Sequence, residues 1–210
     1  TVSVKDSDAK KIGRPFSSAA VEIALATYPG ATMTAPPGEA TPYGVYQAAY
    51  IPNSRVEHRV VTQNDERIEI HAEAGATPNP LPAAAPPTSA PDAGATWRMP
   101  LGAIAGARSG DKGGNANVGV WVRTEKAYEW LAAFLDVAAF QRLLPETAAL
   151  KVERYELPNL RALNFVVEGL LGEGVASSTR QDPQAKGLGE WLRSRQVDVP
   201  TSLLENENEV

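Results

Sequence analysis

The stretch from Ala76 to Gly94 constrains this chain more than any other feature: it holds six prolines and six alanines. Proline lacks an amide N–H and has a fixed φ, so a run this dense cannot form the interior of a helix or a sheet. Alanine offers too little side chain to fill a core. The composition favours an extended, polyproline-like spacer. The chain is therefore expected to divide into residues 1–75, a Pro/Ala-rich linker at 76–95, and a domain at 96–200. At 210 residues it has room for one good domain or two small ones.

The two flanks differ in how much they can bury. In the first, Ser17-Ser18 is positioned to cap a helix carrying Val21, Ile23, Ala24 and Leu25, with Pro29-Gly30 ending it. Val56–Val61 and Arg67–His71 have the pattern of short strands, joined by a turn at Gln63–Glu66. Tyr43, Tyr46 and Tyr50, with Pro36-Pro37 and Pro42, form an aromatic patch expected to pack internally. One helix and two or three strands bury little, so 1–75 is expected to be the C-terminal part of a larger α/β domain. A start at Thr1 rather than Met reads as a cut chain, in preference to a catalytic N-terminal threonine.

The second flank has enough pattern for a complete α+β domain. Trp97–Ala107 and Val118–Arg123 read as strands, the second apolar enough for burial on both faces. Thr124 is a cap for a helix over 125–136, and a short helix at 137–144 stops at Pro145. Leu150–Leu157 alternates as a strand. Leu160–Glu168 is a further strand, with Leu163, Phe165 and Val167 on one face. Asp182 and Pro183 would open a last helix, reaching Arg195, with Leu188, Trp191 and Leu192 facing inward. All four tryptophans, at 97, 121, 130 and 191, fall here and are expected to anchor the core. Strands with helices on one face predict a ferredoxin-like split β-α-β sandwich or a relative.

Composition narrows the function classes. The net charge of −5 gives no electrostatic footprint for nucleic acid. Without cysteine there is no disulfide, thiolate zinc site or cysteine nucleophile. His58 and His71, the only histidines, are read as structural, so no metal and no cofactor is expected. No apolar run approaches a membrane span, and the first residues lack a signal peptide's charge and apolar pattern. The expectation is a soluble, cytoplasmic protein with no membrane partner.

The candidate site is the run Arg108, Ser109, Gly110, Asp111, Lys112, Gly113, Gly114, Asn115, Ala116, Asn117. It reads as the loop of a hairpin, with Arg108, Lys112, Asn115, Asn117 and glycine N–H groups converging at the tip as an anion site. It matches neither a Walker A loop nor a Gly-x-Gly-x-x-Gly fingerprint. Ser109 and Lys112 have Ser-x-x-Lys spacing, but the glycines argue against the helix that such a catalytic pair needs. A second cluster, Gly169–Gly174 followed by Ser177, Ser178, Thr179 and Arg180, is placed to face the first or to be a solvated loop.

The segment from Ala107 to Val120, which contains this run, resembles the signature of the acyclic terpene utilisation (AtuA) family. The stretch from Leu163 to Val175 and the Gln184-Ala-Lys-Gly-Leu-Gly-Glu-Trp191 run are similar to the same family's C-terminal region. Ala20–Val61 is similar to the tail of its large N-terminal domain. The resemblance implies a large α/β domain followed by a small ferredoxin-like one, in a setting of acyclic isoprenoid and branched acyl-CoA catabolism. It carries 108–117 over as a family signature without assigning catalytic residues. The expected partners are the parent's N-terminal domain or a partner chain, with a homo-oligomer and an acyl-CoA or other anionic small molecule also anticipated. The alternative reading is a non-catalytic assembly module of a larger enzyme.

Overall fold

A computed structural model describes residues 2–32, 38–71 and 94–204. The Pro/Ala stretch up to residue 93, Pro36-Pro37, Thr1 and the acidic end at 205–210 lie outside the described residues.

The first part holds α1 (Ala9–Ile12), α2 (Arg14–Glu22), β1 (His58–Val61) and β2 (Arg67–Ile70). Asp8 caps α1 by accepting the Lys10 amide N–H, and a proline in the first turn opens α2. The helix expected to start at Ser17-Ser18 starts earlier. Ser17 lies inside α2 and is buried, and the helix ends before Ile23 and Leu25, which are exposed. β1 and β2 pair antiparallel, with Val60 opposite Ile68, as the turn residues predict. Tyr43, Tyr46 and Tyr50 are exposed among the described residues rather than packed.

The second part runs β3 (Thr96–Pro100), β4 (Gly106–Lys112), β5 (Asn115–Trp121), α3 (Glu125–Phe134), α4 (Val137–Leu143), β6 (Val152–Leu157), β7 (Ala162–Val167), α5 (Leu188–Arg193) and β8 (Gln196–Pro200). Thr124 accepts the Ala127 amide N–H and Asp136 that of Ala139, so each helix opens on a side-chain cap. The expected strand Trp97–Ala107 is two strands. After Pro100 the chain turns through Leu101–Ala103, whose Leu101 is fully buried and whose amide binds the Arg195 carbonyl at 2.8 Å. β3 then pairs with β8, a strand the sequence reading missed, in a ribbon separate from the main sheet. The last helix is also shorter than expected. Asp182 accepts the amides of Lys186 and Gly187, and Ala185 sits at φ 52°, so helical backbone begins only at Leu188.

β4, β5, β7 and β6 form one antiparallel sheet in that order. β5, the α3–α4 pair, β6 and β7 make a split β-α-β with β7 inserted between its partners, and α5 follows. In a β-α-β-β-α-β chain the remaining edge strand comes after the last helix. Here β4 fills that edge from before, through a hairpin with β5. The fold is thus ferredoxin-like in sheet and layers, with its edge strand supplied from the other end.

All three helices cover one face. Phe165 of β7 stacks on Phe140 of α4 at 4.2 Å. Arg154 of β6 donates to the carbonyls of Leu135 and Ala132 at the end of α3. Ser109 of β4 meets Gly189 of α5. Ala116, Val118 and Val120 of β5 and Leu163, Phe165 and Val167 of β7 are buried beneath them. β5 is therefore buried on one face, not two. Of the tryptophans only Trp130 is buried; Trp97, Trp121 and Trp191 are exposed.

Candidate functional site

The run 108–117 is not a loop. Arg108 to Lys112 and Asn115 to Asn117 belong to an antiparallel ladder that continues to the tip: Arg108 stands opposite Gly119, Gly110 opposite Asn117, and Lys112 opposite Asn115. Only Gly113 and Gly114 remain as the turn. Gly113 has φ 63° and Gly114 does not have positive φ, the pattern of a type II′ turn. The tip is also closed from above. The Gly114 carbonyl accepts the Leu171 amide at 2.9 Å, and a Cβ on Gly114 would collide with the Gly172 carbonyl oxygen. Asn115 accepts the Gly169 amide at 2.9 Å through Oδ1. The turn therefore docks under Gly169–Gly174 and does not present a nest of free N–H groups.

Strand parity then sorts the motif onto two faces. Ser109 and Asp111 fall on the helix-covered face. Ser109 is buried, and its hydroxyl donates to the Lys186 carbonyl at 3.1 Å while accepting the Gly189 amide at 2.8 Å. Both functions of that hydroxyl are used within the fold. Lys112 lies on the opposite face, exposed, with Nζ on its neighbour's carbonyl at 3.2 Å. The structure does not bring Ser109 and Lys112 together as a pair.

Arg108, Gly110 and Lys112 share the uncovered face with Asn115, Asn117 and Gly119 of β5, and with Asn164 and Val166 of β7. Asn117 donates from Nδ2 to Oδ1 of Asn164 at 2.7 Å, which ties the two side-chain amides together on that face. Trp121, Tyr155 and Leu157 stand exposed on the same face. The Lys186 ammonium reaches this edge, 3.0 Å from where a Cβ at Gly110 would stand. Arg108, Lys112 and Lys186 are in no ion pair among the described residues, although nine such pairs occur there.

The far side of the face is electrically self-contained. Lys151 donates to Glu153 and Glu168, and Tyr155 donates to Glu153. The hydrogen bonds from Lys151 and then Tyr155 hold the Glu153 carboxyl below its usual range. The same bonds raise Lys151 and Tyr155 above theirs. So the free positive charge lies on the β4 edge.

The second cluster meets the first through glycine backbone, not through its polar side chains. Arg180 pairs with Glu146 at 2.5 Å, and Ser177 Oγ donates to the Gly174 carbonyl. His58 lies against Asn53 at 3.0 Å in a cavity it shares with His71, Glu57 and Glu69. No cluster of metal-ligating type occurs among the described residues. Cavities at Trp130, His58, Tyr43 and Trp191 have no residue of the motif in their lining.

Asn164, Tyr155 and Lys186 are not singled out as site residues by the sequence, and Trp121, expected in the core, stands on this exposed face instead. For Asn164 a signal was present: with Leu163, Phe165 and Val167 inward, residues 164 and 166 must point outward. For the strand character of the motif the signal was the Gly-Gly pair itself, a common two-residue hairpin turn.

No helix among the described residues is long and apolar enough to cross a membrane. Residues 99–198 match the family model of the AtuA ferredoxin-like domain. No curated protein and no solved structure matches the chain.

Proposed function

We propose, from the match of residues 99–198 to the AtuA ferredoxin-like domain model, that this part of the chain is a non-catalytic docking module of an AtuA-like protein. Its uncovered sheet face takes carboxylates of the large N-terminal domain, in the parent or in a partner chain. The protein it completes acts in the catabolism of acyclic isoprenoid or branched acyl-CoA compounds.

One observation carries the reading: Arg108, Lys112, Asn115 and Asn117 stand in register across an uncovered sheet face, not around a cavity. A broad face with Arg108, Lys112 and Lys186 unpaired, amides fixed by Asn117–Asn164, and exposed Trp121 and Tyr155 has the make-up of a protein interface. The motif's only hydroxyl, on Ser109, is spent on α5. Arginine suits planar carboxylates because its guanidinium can donate two parallel N–H bonds.

The test is calorimetric titration of the chain with an isolated large AtuA-like domain, and separately with a CoA thioester. The reading expects saturable, salt-sensitive binding of the domain. The double variant Arg108→Glu, Lys112→Glu should abolish it while the thermal midpoint stays within about 2 °C, since surface substitutions usually cost under about 0.5 kcal/mol. Binding of the thioester alone, lost on Lys112→Ala, would overturn the docking reading in favour of a small-molecule anion site.

A further inference from the structure

Away from the motif face, α3, α4 and the β3–β8 ribbon line an open cavity of about 540 Å³. That is the size of sites that hold small molecules rather than chains. Its floor is apolar. Trp130 and Phe134, one turn apart on α3, stack with ring centroids 4.8 Å apart and planes within 5°. Ala139, Leu143 and Val197 continue the surface.

The rim carries charge, unevenly. Arg98 and Asp198 face each other across the ribbon and pair at 3.2 Å, so they cancel. Arg142, in the last turn of α4, has neither an ion pair nor a side-chain hydrogen bond among the described residues. One unbalanced guanidinium therefore stands over an apolar floor.

We propose that this cavity binds a small amphipathic monoanion. Its apolar body lies against Trp130 and Phe134, and its carboxylate accepts N–H bonds from Arg142. A neutral apolar molecule would leave the guanidinium unused. A nucleotide or another polyanion would face Asp198 with too few cations to match its charge. This inference does not depend on the docking role of the sheet face, which lies on different elements.

The probe is decanoate, with decanol as its uncharged counterpart, titrated into the ¹⁵N-labelled full chain. Decanoate should shift the Trp130 indole N–H resonance saturably and leave that of Trp121 in place. Arg142→Gln should weaken decanoate about fivefold, the worth of an exposed charge pair, and leave decanol unchanged. Arg98→Gln should also weaken decanoate, because it frees the Asp198 carboxylate at the rim. Added salt should act in the same direction. The proposal fails if Trp130 shows no saturable shift, if decanol binds as tightly as decanoate, or if the control Arg161→Gln, in the β6–β7 turn and outside the cavity lining, weakens decanoate as much as Arg142→Gln.

Discussion

Hairpin β1–β2 pairs four residues with four and exposes all eight, whereas hairpin β4–β5 pairs seven with seven and buries Ala116, Val118 and Val120 completely. The backbone ladders are of the same kind. The cross-strand pairs do not favour the second: β1–β2 sets β-branched Val60 opposite Ile68, while β4–β5 sets Val120 opposite the small Ala107. The difference lies in what covers them. Three helices lie on β4–β5 and its neighbours, and no described helix lies on β1–β2. A two-stranded hairpin alone is marginal in water. Pairing thus sets register, and cover sets stability.

The strongest test of that contrast is truncation on each side. Phe140→Ala removes the ring that stacks on Phe165 beneath α4, and should cost about 3–5 kcal/mol. Ile68→Ala on β2 should cost less than about 0.5 kcal/mol. Urea unfolding followed by circular dichroism measures both. Comparable losses would mean that β1–β2 is buried against something in solution, and the contrast would break.

The next effects are at the covered hairpin's own joints. Gly114→Ala drives a methyl into the Gly172 carbonyl and should destabilise by about 1–3 kcal/mol. Ser109→Ala leaves the buried Gly189 amide without its acceptor, for about 1–3 kcal/mol. Faster hydrogen exchange at Gly189 should accompany it. If Ser109→Ala left both stability and exchange unchanged, its hydroxyl would not be what ties α5 to β4.

The smallest effect is at the surface. Lys151→Met removes the first of two hydrogen bonds that lower the Glu153 carboxyl, so that carboxyl should titrate at higher pH, nearer its ordinary value. A group lowered in the folded state contributes stability above its unfolded pKa and loses it as pH falls through the folded pKa. In the wild type that loss therefore falls on the acid side of Glu153's ordinary range, and in the variant it should shrink. Both residues are exposed, so the effect at neutral pH stays within screening. An NMR titration of the Glu153 side chain measures the shift, and an unmoved midpoint would mean that the pair does not persist in solution.

Several elements were legible because their signals are local. Thr124 caps α3 where its hydroxyl precedes an apolar stripe, and Pro145 follows α4 as expected. The inward set Leu163, Phe165 and Val167 follows directly from period-two alternation. Trp97–Ala107 misled because its apolar run, broken only by Arg98, hides a change of sheet at Leu101. The expected Pro183–Arg195 helix failed at Asp182, whose side chain caps a turn rather than a helix, and at the positive φ of Ala185. β8 escaped notice because Gln196–Pro200 alternates over too few residues to stand out without its partner β3. The run Arg108–Asn117 is strand and a two-residue turn where its composition suggested a loop, since its polarity masked a strand.

The residues alone determined which segments could be helix or strand, where the caps fall, and that Arg108 to Asn117 is chemically unusual. Those properties depend on backbone preference and on neighbours a few positions away. Tertiary structure decided the rest. The two-residue turn at Gly113-Gly114 sets the parity that sends Ser109 inward and Arg108 and Lys112 outward. Packing of α5 consumes the Ser109 hydroxyl, and the return of β8 beside β3 walls the cavity over Trp130. Each of these joins residues dozens of positions apart, and which face of a strand meets a helix depends on the whole arrangement of chain around it.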